Sequence, residues 1–192
     1  MRPAPTIVGF VGYKGAGKST AARVIQSAAP QDVVRLSVAT PLKKAVCSFL
    51  AAAQPHRAWY PEMLGQQEVK ASPWRKGSTV TVRHLLEAVG MAVREADPGA
   101  QAAIMGSEAR RLLGLGFVVV VDDVNFMDEA HTVLDLGGTL FYVPGGSPVS
   151  ERASDWGVLK VMEEMGDHLR TWGPQEAAVV SSGDFTPLYN KE

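Results

Sequence analysis

Residues 6–20 read Thr6-Ile7-Val8-Gly9-Phe10-Val11-Gly12-Tyr13-Lys14-Gly15-Ala16-Gly17-Lys18-Ser19-Thr20. The first six are apolar or β-branched and lack the polar alternation of a half-exposed strand. They predict a strand covered on both faces, as in a parallel sheet. Gly12 to Ser19 then fits the pattern G-x-x-x-x-G-K-[ST] in full. The chemistry behind the pattern is the handling of dense negative charge. Glycines let backbone N–H groups approach phosphate oxygens and adopt positive φ. The N-terminus of the next helix points at the same oxygens. Lys18 supplies a mobile cation, and the Ser19 hydroxyl can ligate Mg²⁺. Gly12, Lys14, Gly15, Ala16, Gly17, Lys18, Ser19 and Thr20 are therefore the expected nucleotide-binding residues, with Lys14 either a second phosphate contact or a solvated loop residue.

Working outward, Ser19–Ala29 is Ala-rich and predicts a helix closed by Pro30. Val33–Val38 predicts a second strand. Thr40-Pro41 predicts a helix entry, with Thr40 as cap and Pro41 at the first helical position. That helix carries an apolar stripe through Leu42, Ala45, Val46, Phe49 and Leu50. Residues 54–78 hold Pro55, Pro61, Pro73, Gly65 and Gly77, with Trp59, Tyr60 and Trp74 among them. Aromatics in such a stretch predict an ordered excursion. Helices are expected over 81–94, 101–113, 128–136 and 158–169. Strands are expected over 117–121, 139–143 and 177–181, and a polar glycine-containing loop over 145–156. Strands alternating with helices imply one doubly wound, mostly parallel α/β domain over residues 1–192, with five strands and helices on both faces.

The chain has 192 residues, 46% hydrophobic and 20% charged, with 19 Lys+Arg against 20 Asp+Glu. Such a balance is globular and excludes disorder as the main state. It offers no basic excess for a nucleic-acid polymer or an anionic membrane. No apolar run approaches the ~20 residues that span a bilayer. One cysteine, Cys47, excludes an internal disulfide and a cysteine zinc cluster. Without an apolar N-terminal stretch of signal-peptide length, the expected compartment is the cytoplasm.

A Mg·ATP site also needs a carboxylate at the end of a neighbouring strand, where the ligand crevice of an open α/β sheet lies. Val118-Val119-Val120-Val121-Asp122-Asp123 offers two. Strand alternation sends them to opposite faces, so one of the two reaches the site directly. Asp122 is taken with Ser19 as the metal pair. Cations for an acceptor anion are available at Lys43, Lys44, Arg83, Arg94, Arg152 and Arg170, and composition does not choose among them.

Several segments together resemble the deoxynucleoside monophosphate kinases of tailed bacteriophages, a branch of the P-loop kinases. Ala39-Thr40-Pro41-Leu42-Lys43 resembles that family's Ala-Asp-x-Leu-Lys segment. Thr81-Val82-Arg83-His84-Leu85-Leu86-Glu87 is similar to its T-V-R-x-L-L-Q helix. Gly90-Met91-Ala92-Val93-Arg94-Glu95-Ala96-Asp97-Pro98 is similar to G-T-E-x-x-R-x-x-D-P. Asp123-Val124-Asn125-Phe126 with Glu129-Ala130, then Gly137-Gly138, resemble D-V-R-F-x-x-E-A and the later G-G, and Arg152-Ala153-Ser154-Asp155 resembles H-x-S-E. Thr40 stands where the family has Asp, Asn125 where it has Arg, and Arg152 where it has His.

The resemblance implies a P-loop kinase fold with an acceptor-binding excursion and a lid over 145–156. It implies transfer of the γ-phosphoryl of ATP, with Mg²⁺, to the 5′-phosphate of a deoxynucleoside monophosphate. Lys18, Arg83, Arg94, Asp123 and Arg152 are then the expected catalytic residues. Lys43, Arg83, Arg94 and Asp123 are the expected acceptor contacts, and Trp59, Tyr60 or Trp74 either stack on the base or pack a small subcore. The site would be cytoplasmic in an infected bacterial host; the oligomeric state stays open, a homodimer included. Three alternatives stand beside this one: another P-loop small-molecule kinase, acting on dephospho-coenzyme A or a nucleoside; a nucleotide-binding regulator with little turnover; and a nucleic-acid-processing ATPase, which the charge balance and the size disfavour.

Overall fold

A computed structural model describes residues 4–146 and 153–189, with the backbone alone for 153–155. Five strands form one parallel sheet: β1 (Ile7–Val11), β2 (Val33–Leu36), β3 (Val118–Val124), β4 (Thr139–Tyr142) and β5 (Leu169–Thr171). Their spatial order is β2-β3-β1-β4-β5, and every pairing is parallel. The helices are α1 (Lys18–Ala28), α2 (Thr40–Ala53), α3 (Gln67–Ala71), α4 (Val82–Ala96), α5 (Ala100–Gly114), α6 (Met127–Asp135), α7 (Ala153–Glu164) and α8 (Pro174–Ser181). The α/β class, the five-stranded parallel sheet and the helices on both faces are as the sequence predicts.

All five residues of β1 are fully buried, which is why the strand carries no alternation. Side chains of successive residues enter different cores. Ile7 and Val11 join Val119, Val121 and Leu140 against Met105, Ala109 and Leu112 of α5, Ala130 and Val133 of α6, and Val158 and Val161 of α7. Val8 and Phe10 join Val118, Val120 and Phe141 against Ala21, Ala22 and Ile25 of α1 and Val180 of α8. On this second face Phe10, Phe141 and Trp172 pack together, with Trp172 edge-on to both rings at centroid distances of 5.2 and 5.3 Å.

Packing divides the chain into two compact units, Met1–Val38 with Ala102–Glu192, and Ala39–Gln101. The first contains the whole sheet. The second has its own small core, in which Val46, Cys47 and Leu50 of α2 meet Trp59, Leu64 and Val82. The excursion is ordered as expected, with a 3₁₀ turn at Met63–Gly65, α3, and an antiparallel bridge between Pro73 and Thr81.

Several element boundaries differ from the sequence reading. The fifth strand is Leu169–Thr171, not 177–181. Residues 174–181 are α8, entered by Pro174 in the first turn, with Glu176 accepting the Gly173 N–H at 2.9 Å. The Ala-Ala-Val-Val run looks like a strand, but it buries Val180 by helical packing on α1. The cap of α2 is Ala39, and Thr40 is already helical. Helix α7 begins at Ala153, inside the stretch read as loop, and ends at Glu164, ahead of a 3₁₀ turn and β5. Strand β3 continues to Val124 and so carries both aspartates within it.

Candidate phosphate-binding site

Strand β1 ends at Val11 in the middle of the sheet, flanked by β3 and β4. The chain leaves β3 on one side of β1 and returns at β4 on the other, so the loop after β1 lies at the reversal of strand order, where open α/β sheets bind ligands. Gly12, Gly15 and Gly17 have φ of +153°, +83° and +99°. Those angles turn the chain from β1 into α1, and Gly17 in the left-handed region starts the helix with no side-chain cap. A helix start whose first-turn N–H groups carry no side-chain cap is what an anion requires. Thr20 and Ala21 donate their N–H groups to the Gly17 carbonyl at 2.9 Å each, and Ala16 donates to the Tyr13 carbonyl at 3.1 Å.

Lys18 is half-buried, and its ammonium donates to the carbonyl oxygens of Gly12 and Tyr13, the latter at 3.0 Å. It therefore spans its own loop. Lys14, Gly15, Gly17, Ser19 and Thr20 are exposed. Arg23, one turn further along α1, donates from Nε to the Ser19 carbonyl at 3.2 Å. A shallow groove of about 350 Å³ runs along the outer side of α1 past Thr20, Arg23 and Ser27 to Ser181 of α8.

The segment after β4 touches the loop from above. A Cβ at Gly12 would lie 2.8 Å from the Val143 carbonyl oxygen, and one at Gly146 would lie 2.6 Å from that of Lys14 and 2.9 Å from the Ala16 nitrogen. Glycine at both places lets two backbones approach within a distance no side chain permits.

The two aspartates separate. Register shifts in β3 beside β1: Gly9 pairs with Val121, but Val11 pairs with Val124, so three steps on β3 answer two on β1. This irregularity contains Asp122 and Asp123. The Asp122 side chain is buried and hydrogen-bonded to the Arg35 guanidinium. Arg35 lies in register with Val120, so Asp122 follows Val118 and Val120 onto the face covered by α1. Asp123 turns the other way. Its Oδ2 accepts from Ser37 Oγ at 2.6 Å and its Oδ1 from the Val38 N–H at 2.8 Å, so both oxygens pin the chain beyond β2. Asn125 donates to the Asp123 carbonyl at 2.7 Å.

The other candidates lie in the second unit, outside the described residues or, for Arg170, on β5 of the first unit. Lys43 is half-buried in the first turn of α2. Arg83, half-buried at the start of α4, donates to Gln67 Oε1 at 2.7 Å. Arg94, in the last turn of α4, donates to the Pro98 carbonyl at 3.4 Å. Arg152 lies outside the described residues. Arg170 donates to the Tyr189 carbonyl at 2.9 Å with its guanidinium 5.0 Å from the Phe141 ring, which ties the C-terminal turn to β5. Of the aromatics, Trp59 is buried in the small core beneath the Arg57 guanidinium, and Trp74 packs against that core and Phe49. Tyr60 alone of the three is largely exposed.

Sequence reasoning missed Arg35, Ser37 and the role of Glu129. Arg35 has no motif around it; only the strand register brings it to Asp122. Glu129 is 1% exposed, and its Oε2 accepts the N–H groups of Asn125 at 2.8 Å and Phe126 at 3.1 Å. The signal for Glu129 was present as an acidic residue at the third position of a helix.

The oxygen donors on the α1 side, the Ser19 hydroxyl and the Asp122 carboxylate, suit Mg²⁺, which takes one or two protein ligands and completes its shell with water and phosphate. Among the described residues no helix is long and apolar enough to cross a membrane.

No family model and no curated protein matches this sequence. Solved structures similar to it include the APS kinase CysC of Mycobacterium tuberculosis, at 12% identity over 85% of this chain and 99% of that one, with a TM-score of 0.39. TT1252 of Thermus thermophilus is 20% identical over 96% of this chain and 82% of its own, with a TM-score of 0.32. A sugar kinase from a Janibacter species is 14% identical over 98% of this chain and all of its own, also at 0.32. Likenesses of this size assign neither a substrate nor a reaction to the present chain.

Proposed function

We propose that this chain is an ATP-dependent phosphotransferase that moves the γ-phosphoryl of ATP to the 5′-phosphate of a deoxynucleoside monophosphate. The observation that carries the phosphotransferase part is the complete phosphate loop between a buried central strand and α1, with a carboxylate on the α1 face of the adjoining strand. The acceptor class rests on the ordered series of segments that resemble the bacteriophage kinases.

Backbone N–H groups at the start of α1 hold the β- and γ-phosphates, and Lys18 exchanges its two carbonyl partners for phosphate oxygens. Ser19 and Asp122 would hold Mg²⁺, which would supply charge neutralisation at the transferring group. The resemblance to the bacteriophage kinases assigns the acceptor phosphate to Lys43, Arg83 and Arg94 and a further cation to Arg152. The acceptor is already an anion, so no residue need act as general base; positioning and charge do the catalysis.

The test is a coupled ADP-release assay with all common deoxynucleoside monophosphates, their ribonucleotide counterparts, nucleosides and dephospho-coenzyme A. ADP release that depends on a deoxynucleoside monophosphate, and is abolished by Lys18→Ala, is the expected result. Arg83→Ala and Arg94→Ala should raise KM for the acceptor and leave KM for ATP nearly unchanged. Release that depends on another acceptor overturns the substrate class. Slow hydrolysis with no acceptor dependence identifies a nucleotide-binding regulator.

A further inference from the structure

We propose that Arg35 is a positioning residue for Asp122, fixing that carboxylate on the α1 face in the orientation that receives a divalent cation arriving with the nucleotide. The inference rests on the phosphotransferase reading and adds a residue that none of its motifs contains.

Register is the first argument. Arg35 pairs with Val120 across the β2–β3 ladder. Side chains of Val120 and Asp122 share a face, so the guanidinium meets the carboxylate beyond the end of β2. The second argument is the irregularity between Val121 and Val124. A strand that departs from its register at an aspartate loses the ladder that would otherwise hold that side chain's direction, and something else must set it. Among the described residues Arg35 is the one hydrogen-bond donor to the Asp122 carboxylate, and it engages Oδ2. The second oxygen remains for a ligand.

Burial is the third argument. The Asp122 side chain is 10% exposed and that of Arg35 30%. An ion pair so placed is weak evidence of a stabilising role, because apolar replacements of similar volume often serve as well. Removing one partner, by contrast, leaves an uncompensated charge and a free rotor. Arg35 also keeps its Nε buried, with no acceptor among the described residues. An unsatisfied buried donor is a cost, and it accompanies a placement that brings the planar fork to Asp122. Groups that orient a metal-side ligand typically change metal affinity without touching the metal.

The experiment measures ATP affinity of the full chain by calorimetry, once with Mg²⁺ and once with EDTA. The ratio of the two affinities is the Mg²⁺ gain. Arg35→Ala should lower that gain about 10-fold while metal-free ATP affinity stays within about twofold of wild type, a negligible energetic change. Arg35→Lys keeps the charge, loses the fork, and should fall between the two. Asp122→Asn should abolish the gain, and adding Arg35→Ala to it should cost nothing more. A purely structural arginine would lower the melting temperature and leave the gain intact; that result overturns the proposal. So does a larger gain in Arg35→Ala, which would make Arg35 a competitor of the cation, and so does an equal loss with and without Mg²⁺. Should Arg35→Ala fail to fold, Arg35→Lys decides: a reduced Mg²⁺ gain supports the proposal and a wild-type gain overturns it. A wild-type chain that binds no ATP overturns the phosphotransferase reading itself and this inference with it, whereas wild-type binding with a flat response to Arg35 overturns this inference alone.

Discussion

Gly146 has φ of +73°, and a Cβ there would press on the Lys14 carbonyl and the Ala16 nitrogen of the phosphate loop. Gly145 has φ of +105° but open space around it. The pair separates backbone strain from contact. Both alanine variants bear the left-handed strain, of order 1 kcal/mol, and only Gly146→Ala must also displace the loop. ATP affinity is expected to fall about 10-fold in Gly146→Ala, equivalent to ~1.4 kcal/mol, and to change little in Gly145→Ala. Calorimetric titration checks both, and equal losses would refute the contact. A second residue-scale consequence concerns Cys47, whose thiol is pushed up by burial and then by the nearby Glu62 carboxylate. The folded state holds that proton more tightly than the unfolded chain does, so the contribution to stability is complete at neutral pH. It is lost as pH rises beyond the ordinary thiol range of about 8.5. Alkylation of the native protein at pH 7 should be far slower than of the urea-unfolded chain, and Cys47→Ala should flatten the alkaline limb of a melting-temperature profile. Rapid native alkylation would contradict the burial.

At the scale of elements, α6 shows how a buried carboxyl group can serve a helix start. Glu129 closes two N–H groups, those of Asn125 and Phe126, in a setting from which water is excluded. Glu129→Ala strands both donors and should destabilise by about 1–3 kcal/mol, read as a fall in melting temperature. Glu129→Gln keeps an acceptor oxygen and should lose less; a Gln variant as unstable as the Ala variant would show that charge, not hydrogen bonding, matters there. Helix α8 marks where local reading fails. Its Ala-Ala-Val-Val run carries strand-forming valines, yet Gly173-Pro174 with Glu176 is a helix entry, and packing against α1 decides the outcome. The actual β5 is three residues, Leu-Arg-Thr, too short to show any period. It exists because β4 offers an open edge, with Leu140, Phe141 and Tyr142 in register with it.

For the whole molecule, nucleotide binding and stability are linked. ATP with Mg²⁺ at 100 times its Kd should stabilise the fold by about 2.7 kcal/mol. Hydrogen exchange should show the added protection in β1, the loop and the first turn of α1. Protection elsewhere with none at Gly12 to Thr20 would remove the phosphate site from that loop. The Phe10–Phe141–Trp172 cluster lies on the α1 face of the sheet. Trp172→Ala should cost about 3–5 kcal/mol, measured by urea unfolding, because it empties the space between β1, β4 and α8. A loss under 1 kcal/mol would mean that the cluster is not central to the fold.

The strand–loop–helix at the N-terminus, the α/β class and most helices were determined by the sequence itself, since each depends on local chemistry: glycines where φ is positive, a lysine at a helix start, apolar runs of strand length. Thr81 was equally legible as the start of α4, where its hydroxyl accepts the His84 N–H. Tertiary structure decided the rest. Alternation alone leaves open which of Asp122 and Asp123 faces α1, because it separates the two faces of β3 without saying which of them α1 covers. Arg35, 87 positions earlier, reaches Asp122 only through the β2–β3 register. The burial of Trp59 in a small core, away from any role as an exposed stacking surface, depends on α2 and Val82 closing over it. Local patterns encode what a segment can form; contacts between distant segments set which side chains meet, because those contacts exist only once the sheet has assembled.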